Sequence, residues 1–386
     1  ASIQNYKQAI KIDETNIQAY SLLALVYQYE LQDFRQAAHY FLLCLSKCDC
    51  SKHEFIHYNI GVFYQKFDLQ KAIFYFRKDL SINPRSSKTY NNLGNCYASL
   101  QEDASAIQCF ETILKIDPNY DMVYGNLGIA YKNKHRFNDA LATYKRGFEL
   151  SARPKKTISW NLSIAYLMLG EYKLGFELYE SRMNKDLKFY EQFDKQKLWQ
   201  GQNVTGKSVL VYFEQGFGDT IQFVRYLDLV LHLNPKELIL LTQPELLGLL
   251  QHSFSSVRCV SIAAQIGHYD YHCAVMSLPY IFGSEVHTIP KRLPYLRSVP
   301  SAQAEVKVQN LFDPSKLNIG IVWKASDTAF DSEKRDIELE HFMGLASIPN
   351  AKLYSLQVGK FGDEASEHKD ITCLRSAITD FASTAR

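Results

Sequence analysis

VLVYFEQGFGDTIQFVRYLDLV, residues Val209 to Val230, is the stretch on which the architecture of the second half turns. The apolar run from Ser208 to Phe213 predicts a buried strand. A turn with two glycines and an aspartate follows, and Thr220 to Leu233 predicts a helix stopped by Asn234-Pro235. Such a turn gathers backbone N–H groups, the positive end of a helix and a carboxylate around one point. That arrangement suits a phosphorylated or sugar-like ligand approached at close range.

The strand-then-helix rhythm continues outward from this stretch. Glu237 to Thr242 reads as a strand and Pro244 to about His252 as a helix. Val257 to Ile262 and Tyr271 to Met276 read as further strands. The alternation implies a parallel sheet with right-handed crossovers. A connector punctuated by Ile289-Pro290, Leu293-Pro294 and Val299-Pro300 comes next. A new strand then begins at Leu317 and runs to Trp323, with a helix near Glu338 to Ala346 and a strand from Lys352 to Leu356. This restart predicts a second parallel-sheet domain, incomplete at Arg386.

The first half has a different period. Leu93-Gly94, Tyr97, Ala106, Phe110 and Pro118 recur about one repeat later as Leu127-Gly128, Tyr131, Ala140, Tyr144 and Pro154. Ile60-Gly61, Tyr64, Ala72, Phe76 and Pro84 form an earlier copy. Leu162, Tyr166, Gly175 and Tyr179 form a later one, and Leu23-Ala24, Tyr27, Ala37 and Phe41 a degenerate first one. Gly or Ala at a crossing lets two antiparallel helices approach, aromatics fill the space between pairs, and the proline stops the second helix. The pattern resembles the tetratricopeptide repeat, whose period is about 34 residues. The aromatics read as core, so binding would fall to polar residues on the concave face. Residues 1 to about 12 read as the second helix of a repeat, so the array is expected to begin mid-repeat.

Composition excludes several classes. A formal charge of +2 over 386 residues gives no basic field for nucleic acid or an anionic membrane. The sequence holds no apolar run long enough to span a bilayer. The eight cysteines are scattered, and Cys44, Cys48 and Cys50 lack the spacing of a zinc set. They read as free thiols of a reducing cytosol, which gives a cytoplasmic expectation.

Gly216-Phe217-Gly218 is not a dinucleotide fingerprint. The third glycine would fall at Ile221, and Thr242-Gln243 stand where an acidic residue would end the second strand. Asp219 then has two readings: an N-cap of the helix it precedes, or a general base at the carboxyl end of a strand, where open α/β sheets bind ligands. His272 reads as a structural strand histidine and Trp323 as core.

EQGFGDTIQFVRYL resembles the signature of bacterial tetratricopeptide-repeat proteins whose catalytic part is similar to the lipopolysaccharide heptosyltransferases. GFELYESR, LWQGQNVTGKSVLV, SLPYIFG, TIPKRLPYL, NIGIVWKAS and LYSLQVGK follow in that family's order. The resemblance implies two facing Rossmann-like domains of GT-B type, with the acceptor on the first and a nucleotide-sugar donor mainly on the second. It implies no metal and no cofactor beyond that donor. It implies Asp219 as base on the acceptor hydroxyl, Gly216 and Gly218 as the glycines that admit the ligand, and Glu214 and Gln215 as lining or buttress. On the donor side it implies a cation at the diphosphate, Arg335, with Lys334 and Lys324 as alternates; SEKRD reads equally as a solvated charge run. Lys324 and Asp336 depart from the smaller, uncharged residues the pattern favours.

The expected organisation is a tetratricopeptide-repeat α-solenoid over 1–183, a connector over 184–206, a first Rossmann-like domain over 207–300, a linker over 301–316 and the start of a second Rossmann-like domain over 317–386. The expected function is transfer of a sugar to a hydroxyl of a protein or glycan, with the repeats recruiting a protein partner or acceptor. This stretch alone is expected to be inactive, because the glycine- and threonine-containing nucleotide loop lies beyond it in the family. The rival expectation is a non-catalytic scaffold with a degenerate transferase domain.

Overall fold

The computed structural model describes residues 2–47, 55–150, 156–184, 190–298, 312–324, 336–378 and 380–384. Cys48, Cys50, Pro154, Val299-Pro300, residues 301–311 of the expected linker, Lys334 and Arg335 lie outside them. The chain divides into two compact units, residues 1–186 and 187–386.

The first unit is built of antiparallel helix pairs. Helix α1 (Ser2–Ile12) precedes the pairs α2 (Ile17–Leu25) with α3 (Phe34–Lys47), α4 (Ile56–Tyr64) with α5 (Leu69–Ile82), and α6 (Ser87–Ser99) with α7 (Asp103–Ile116). The pairs α8 (Asp121–Asn133) with α9 (Phe137–Leu150), and α10 (Lys156–Met168) with α11 (Tyr172–Tyr179), complete the described array. Local polar residues start several of these helices. Asn16, Asp68 and Ser86 each accept the N–H three residues on, satisfying a donor that the first turn leaves free.

The repeat glycines act by close approach. A Cβ added to Gly61 or Gly94 would lie 2.5 Å from the ring of Phe76 or Phe110. At Gly128 it would run into the Tyr144 ring. Phe76, Phe110 and Tyr144 are buried, so each ring occupies the space that its glycine vacates. The expected aromatic core is thus present in each of these pairs.

The second unit holds two parallel sheets. Strands β1 (Ser208–Tyr212), β2 (Glu237–Leu241), β3 (Arg258–Val260) and β4 (Tyr271–Ala274) lie in the order β3-β2-β1-β4. Strands β5 (Leu317–Ile321), β6 (Ala351–Ser355) and β7 (Ile371–Cys373) lie in the order β5-β6-β7. All five residues of β1 are buried, as a central parallel strand requires. Its register places Tyr212 opposite Leu241 on one side and Ala274 on the other.

The structure revises several sequence expectations. The helix expected from Thr220 to Leu233 starts earlier and is interrupted: α12 (Phe217–Phe223), a 3₁₀ turn (Val224–Tyr226), then α13 (Leu227–His232). Phe223, Val224, Tyr226 and Leu227 are all buried, and the tighter turn lets sequence neighbours face the core together. The helix expected near Glu338 to Ala346 is a 3₁₀ run, Leu339–Ser347. Strand β7 was missed, since three residues are too few to show a period.

Part of the connector belongs to the sheet unit. The Phe193 ring stacks on Tyr212 at 4.1 Å, and Trp199 N–H donates to the His272 carbonyl at 2.7 Å. The Leu198-Trp199 pair, isolated in sequence, therefore docks on the free edge of β4, where Leu198 forms a parallel bridge with His272.

The glycine packing can be tested within one helix. Gly128→Ala should lower stability by about 1–2 kcal/mol, because overpacking against a buried ring exceeds the gain of about 1 kcal/mol in helix propensity. Gly125→Ala meets nothing within 4 Å and should leave stability unchanged or raise it. Urea midpoints of the two variants check the contrast.

Candidate functional site

In sequence β1 continues to β2 on one side, while β4 lies on its other side. The carboxyl ends of β1 and β4 therefore form the point where the winding of the sheet reverses, and open α/β sheets bind ligands there. The loop after β1, residues 213–216, and the first turn of α12 carry Glu214, Gln215, Gly216, Gly218 and Asp219 to this place. Helix α12 packs beside Val275–Ser277, the turn that follows β4.

Gln243 holds the loop. It is buried, two residues beyond the end of β2, and its Nε2 donates to the Gln215 carbonyl at 3.0 Å. Its Oε1 accepts from the Thr220 hydroxyl at 3.0 Å and from Thr242 at 3.4 Å. Both ends of the glycine turn are thereby tied to the neighbouring strand. Sequence reading passed over this residue except as the place where an acidic one was missing. A polar side chain just past a buried strand was the signal for it.

Asp219 is not the N-cap. Gly216 takes that position, and Asp219 sits at the third residue of α12, with Oδ2 accepting the Gly216 N–H at 3.2 Å. This is the backward half of a capping box; glycine has no side chain for the forward half. Glu214 accepts a hydrogen bond from the Tyr190 hydroxyl and so buttresses the loop.

The two glycines differ from those of the repeats. Gly216 is extended, at φ −67 and ψ 170, which any residue adopts. A Cβ on Gly218 would meet nothing within 4 Å among the described residues, and one on Gly216 only Asp219 Oδ2 at 3.6 Å. Neither backbone strain nor packing within the described fold demands glycine at either place.

In the second sheet, Lys324 is engaged. Its Nζ lies 3.0 Å from Glu364 and 3.6 Å from Glu338. Glu364 also accepts the Trp323 indole N–H at 2.6 Å. Hydrogen bonds from Trp323 and then Lys324 hold the Glu364 carboxyl below its usual range, and the bond to Glu364 raises Lys324. As an alternate for the diphosphate, Lys324 would have to leave these carboxylates. Trp323 is buried, as expected of a core residue. Gln357, two residues past β6, accepts from the Trp323 and Lys324 N–H groups at 3.1 Å each. It therefore does for β5 and β6 what Gln243 does for β1 and β2.

His272 is structural. Its Nε2 lies 2.9 Å from the Asp194 carbonyl, while its buried Nδ1 has no partner in the described structure. Burial pushes its pKa below the ordinary value. Among the described residues, no group of three or more His, Cys, Asp or Glu could hold a metal ion. No described helix is long and apolar enough to cross a membrane.

Tetratricopeptide-repeat models match residues 1–29, 87–120 and 109–142. The N-terminal part carries tetratricopeptide repeats. Protein FlbA of Caulobacter vibrioides is 23% identical over 321 residues, 78% of this chain and 54% of that protein. The chain thus spans about half the length of this curated relative. Among solved structures, MamA is 24% identical, with 38% of this chain and 85% of that one covered, at a TM-score of 0.36. YrrB, described as a tetratricopeptide-repeat protein with an unusual peptide-binding site, is 16% identical, with 46% and 91% covered, at a TM-score of 0.40. Repeats of this type suit a protein-interaction scaffold.

Two measurements check the placement of these side chains. Gln243→Ala should cost about 1–3 kcal/mol for its buried hydrogen bonds and speed amide exchange across residues 213–220. His272 gives a pH signature. Its folded pKa is depressed, so the unfolded chain takes up the proton first, and stability falls as pH drops through about 6.5. His272→Gln should flatten the fall in urea midpoint between pH 7.5 and 5.5.

Proposed function

We propose that the chain is the repeat arm and acceptor side of a GT-B-type glycosyltransferase that moves a sugar from a nucleotide donor to a hydroxyl of a protein or glycan. One observation carries the reading: two glycines that the described fold does not require stand beside a carboxylate at the reversal point of a parallel sheet. Side chains at Gly216 and Gly218 would cost the described fold little, and one at Gly216 would lie 3.6 Å from Asp219 Oδ2. The parallel β5-β6-β7 sheet and the family resemblance support a second, donor-side domain.

In the proposed reaction the Asp219 carboxylate accepts the proton of the acceptor hydroxyl as its oxygen bonds to the anomeric carbon. The sugar–phosphate bond breaks, and the electron pair leaves with the nucleoside diphosphate. Arg335, with Lys334 beside it, is the proposed cation for the leaving charge. Gln243 would keep the loop in register, and the repeats would recruit the protein partner. A second reading has its own observation. The Gly216 N–H on Asp219 Oδ2 is a helix-capping contact, and it alone would explain the aspartate in a non-catalytic scaffold.

The test incubates the full-length protein with a panel of nucleotide sugars and follows nucleoside diphosphate release by mass spectrometry. Release that falls by about 10²–10⁴-fold in Asp219→Asn supports the base role. Gly218→Ala should keep the parent melting temperature while turnover falls. Absence of release from every donor, with no donor-induced melting shift, would favour the scaffold.

A further inference from the structure

Asp79 breaks the repeat pattern. In three of the other pairs its place on the second helix is held by Cys44, Ile113 and Gly147, all buried. The residue facing that place from the next repeat is Ile56, Val123 or Ile158, again buried and apolar. Here the facing residue is Thr89, whose hydroxyl donates to Asp79 Oδ2 at 2.6 Å. A carboxylate and a hydroxyl thus replace an apolar contact at one step of the array. Asp79 is only 5% exposed.

Its second oxygen is unused. Asp79 Oδ1 makes no hydrogen bond among the described residues, and no described cation forms an ion pair with it. It is also not sealed in, because Asp79 lines a cavity of about 400 Å³ between α4, α5 and the start of α6. Tyr58, Asn59, Asn83 and the exposed Phe55 line the same cavity, and Lys88 stands at it on α6. The open oxygen can accept a hydrogen bond from a group seated in the cavity.

We propose that this cavity receives an arginine side chain of a partner polypeptide, with Asp79 Oδ1 as its counter-charge. The planar guanidinium fits the setting better than an ammonium. It can donate to Asp79 and to the carbonyls of Asn59 and Asn83, and stack on the Phe55 or Tyr58 ring. Lys88 carries the same sign as the ligand and opposes it by repulsion, which the hydrogen bonds to Asp79 must outweigh. The inference rests on the repeats as a partner-binding arm and is independent of the transfer chemistry.

The probe is the blocked peptide acetyl-Gly-Arg-Gly-amide, titrated into the full chain while the asparagine side-chain amides are followed by NMR. A citrulline peptide of the same shape lacks the charge. Saturable shifts at Asn59 and Asn83 are expected with the arginine peptide. Affinity should fall about tenfold or more with citrulline and in Asp79→Asn, the loss of one charge-assisted contact. The double variant Asp79→Ile with Thr89→Val restores the apolar pair of the next repeat; it should melt higher than the parent and show no shifts. Equal binding of the two peptides, or unchanged binding in Asp79→Asn, would overturn the proposal. Shifts confined to Asn126 or Asn161 would overturn this pocket and keep the repeats as a peptide-binding arm. Absence of shifts throughout the repeats would overturn both.

Discussion

Parallel pairing is the constraint from which the second unit follows. A strand that pairs in parallel with the previous one must begin at the same edge, so every carboxyl end emerges on one side of the sheet. That geometry brings Thr242-Gln243 beside the loop after β1, although 27 residues of sequence separate Gln215 from Gln243. The buried amide of Gln243 then does what an isolated glycine loop cannot do for itself. It satisfies the loop carbonyl on one side and the helix hydroxyl on the other. The same solution recurs at Gln357, where the carboxyl ends of β5 and β6 meet. A single amide with both donor and acceptor suits this task better than a carboxylate, which could only accept.

The first unit obeys a different rule, the stacking of helix pairs that cannot bury their faces alone. Gly61, Gly94 and Gly128 are held by the rings of Phe76, Phe110 and Tyr144. This leaves little freedom at the crossings. The junction of α5 with α6 is where the pattern is relaxed. There Asp79 and Thr89 stand in place of an apolar pair, and the cavity opens beside them. Stability is local in such arrays, so one polar junction is tolerated when its neighbours remain apolar.

Legibility followed the range of the interaction concerned. The repeats were readable because each aromatic, glycine and proline acts within one helix pair and recurs with the period. The strands β1 and β2 were readable from short apolar runs bounded by turn residues. The place of Asp219 was less so. The sequence permits a cap or a base, and the helix start moved from Thr220 to Phe217, which made the aspartate the third helical residue. Strand β7 is too short to carry a pattern, and the sequence pattern does not distinguish the 3₁₀ form of Leu339–Ser347 from an α-helix.

By itself the sequence determined that helical repeats precede a parallel α/β part, and that a glycine turn with a carboxylate follows the first strand. These depend on periodicity and on residues adjacent in the chain. Only the tertiary structure decided which glycines are demanded by packing and which are not. Gly128 meets a ring from the next helix, while Gly218 meets nothing within 4 Å among the described residues. It also decided that Lys324 is bound to Glu364, that Gln243 secures the loop, and that Asp79 faces Thr89 and a cavity. Each of these is a contact between side chains brought together by folding, and no local pattern encodes the partner.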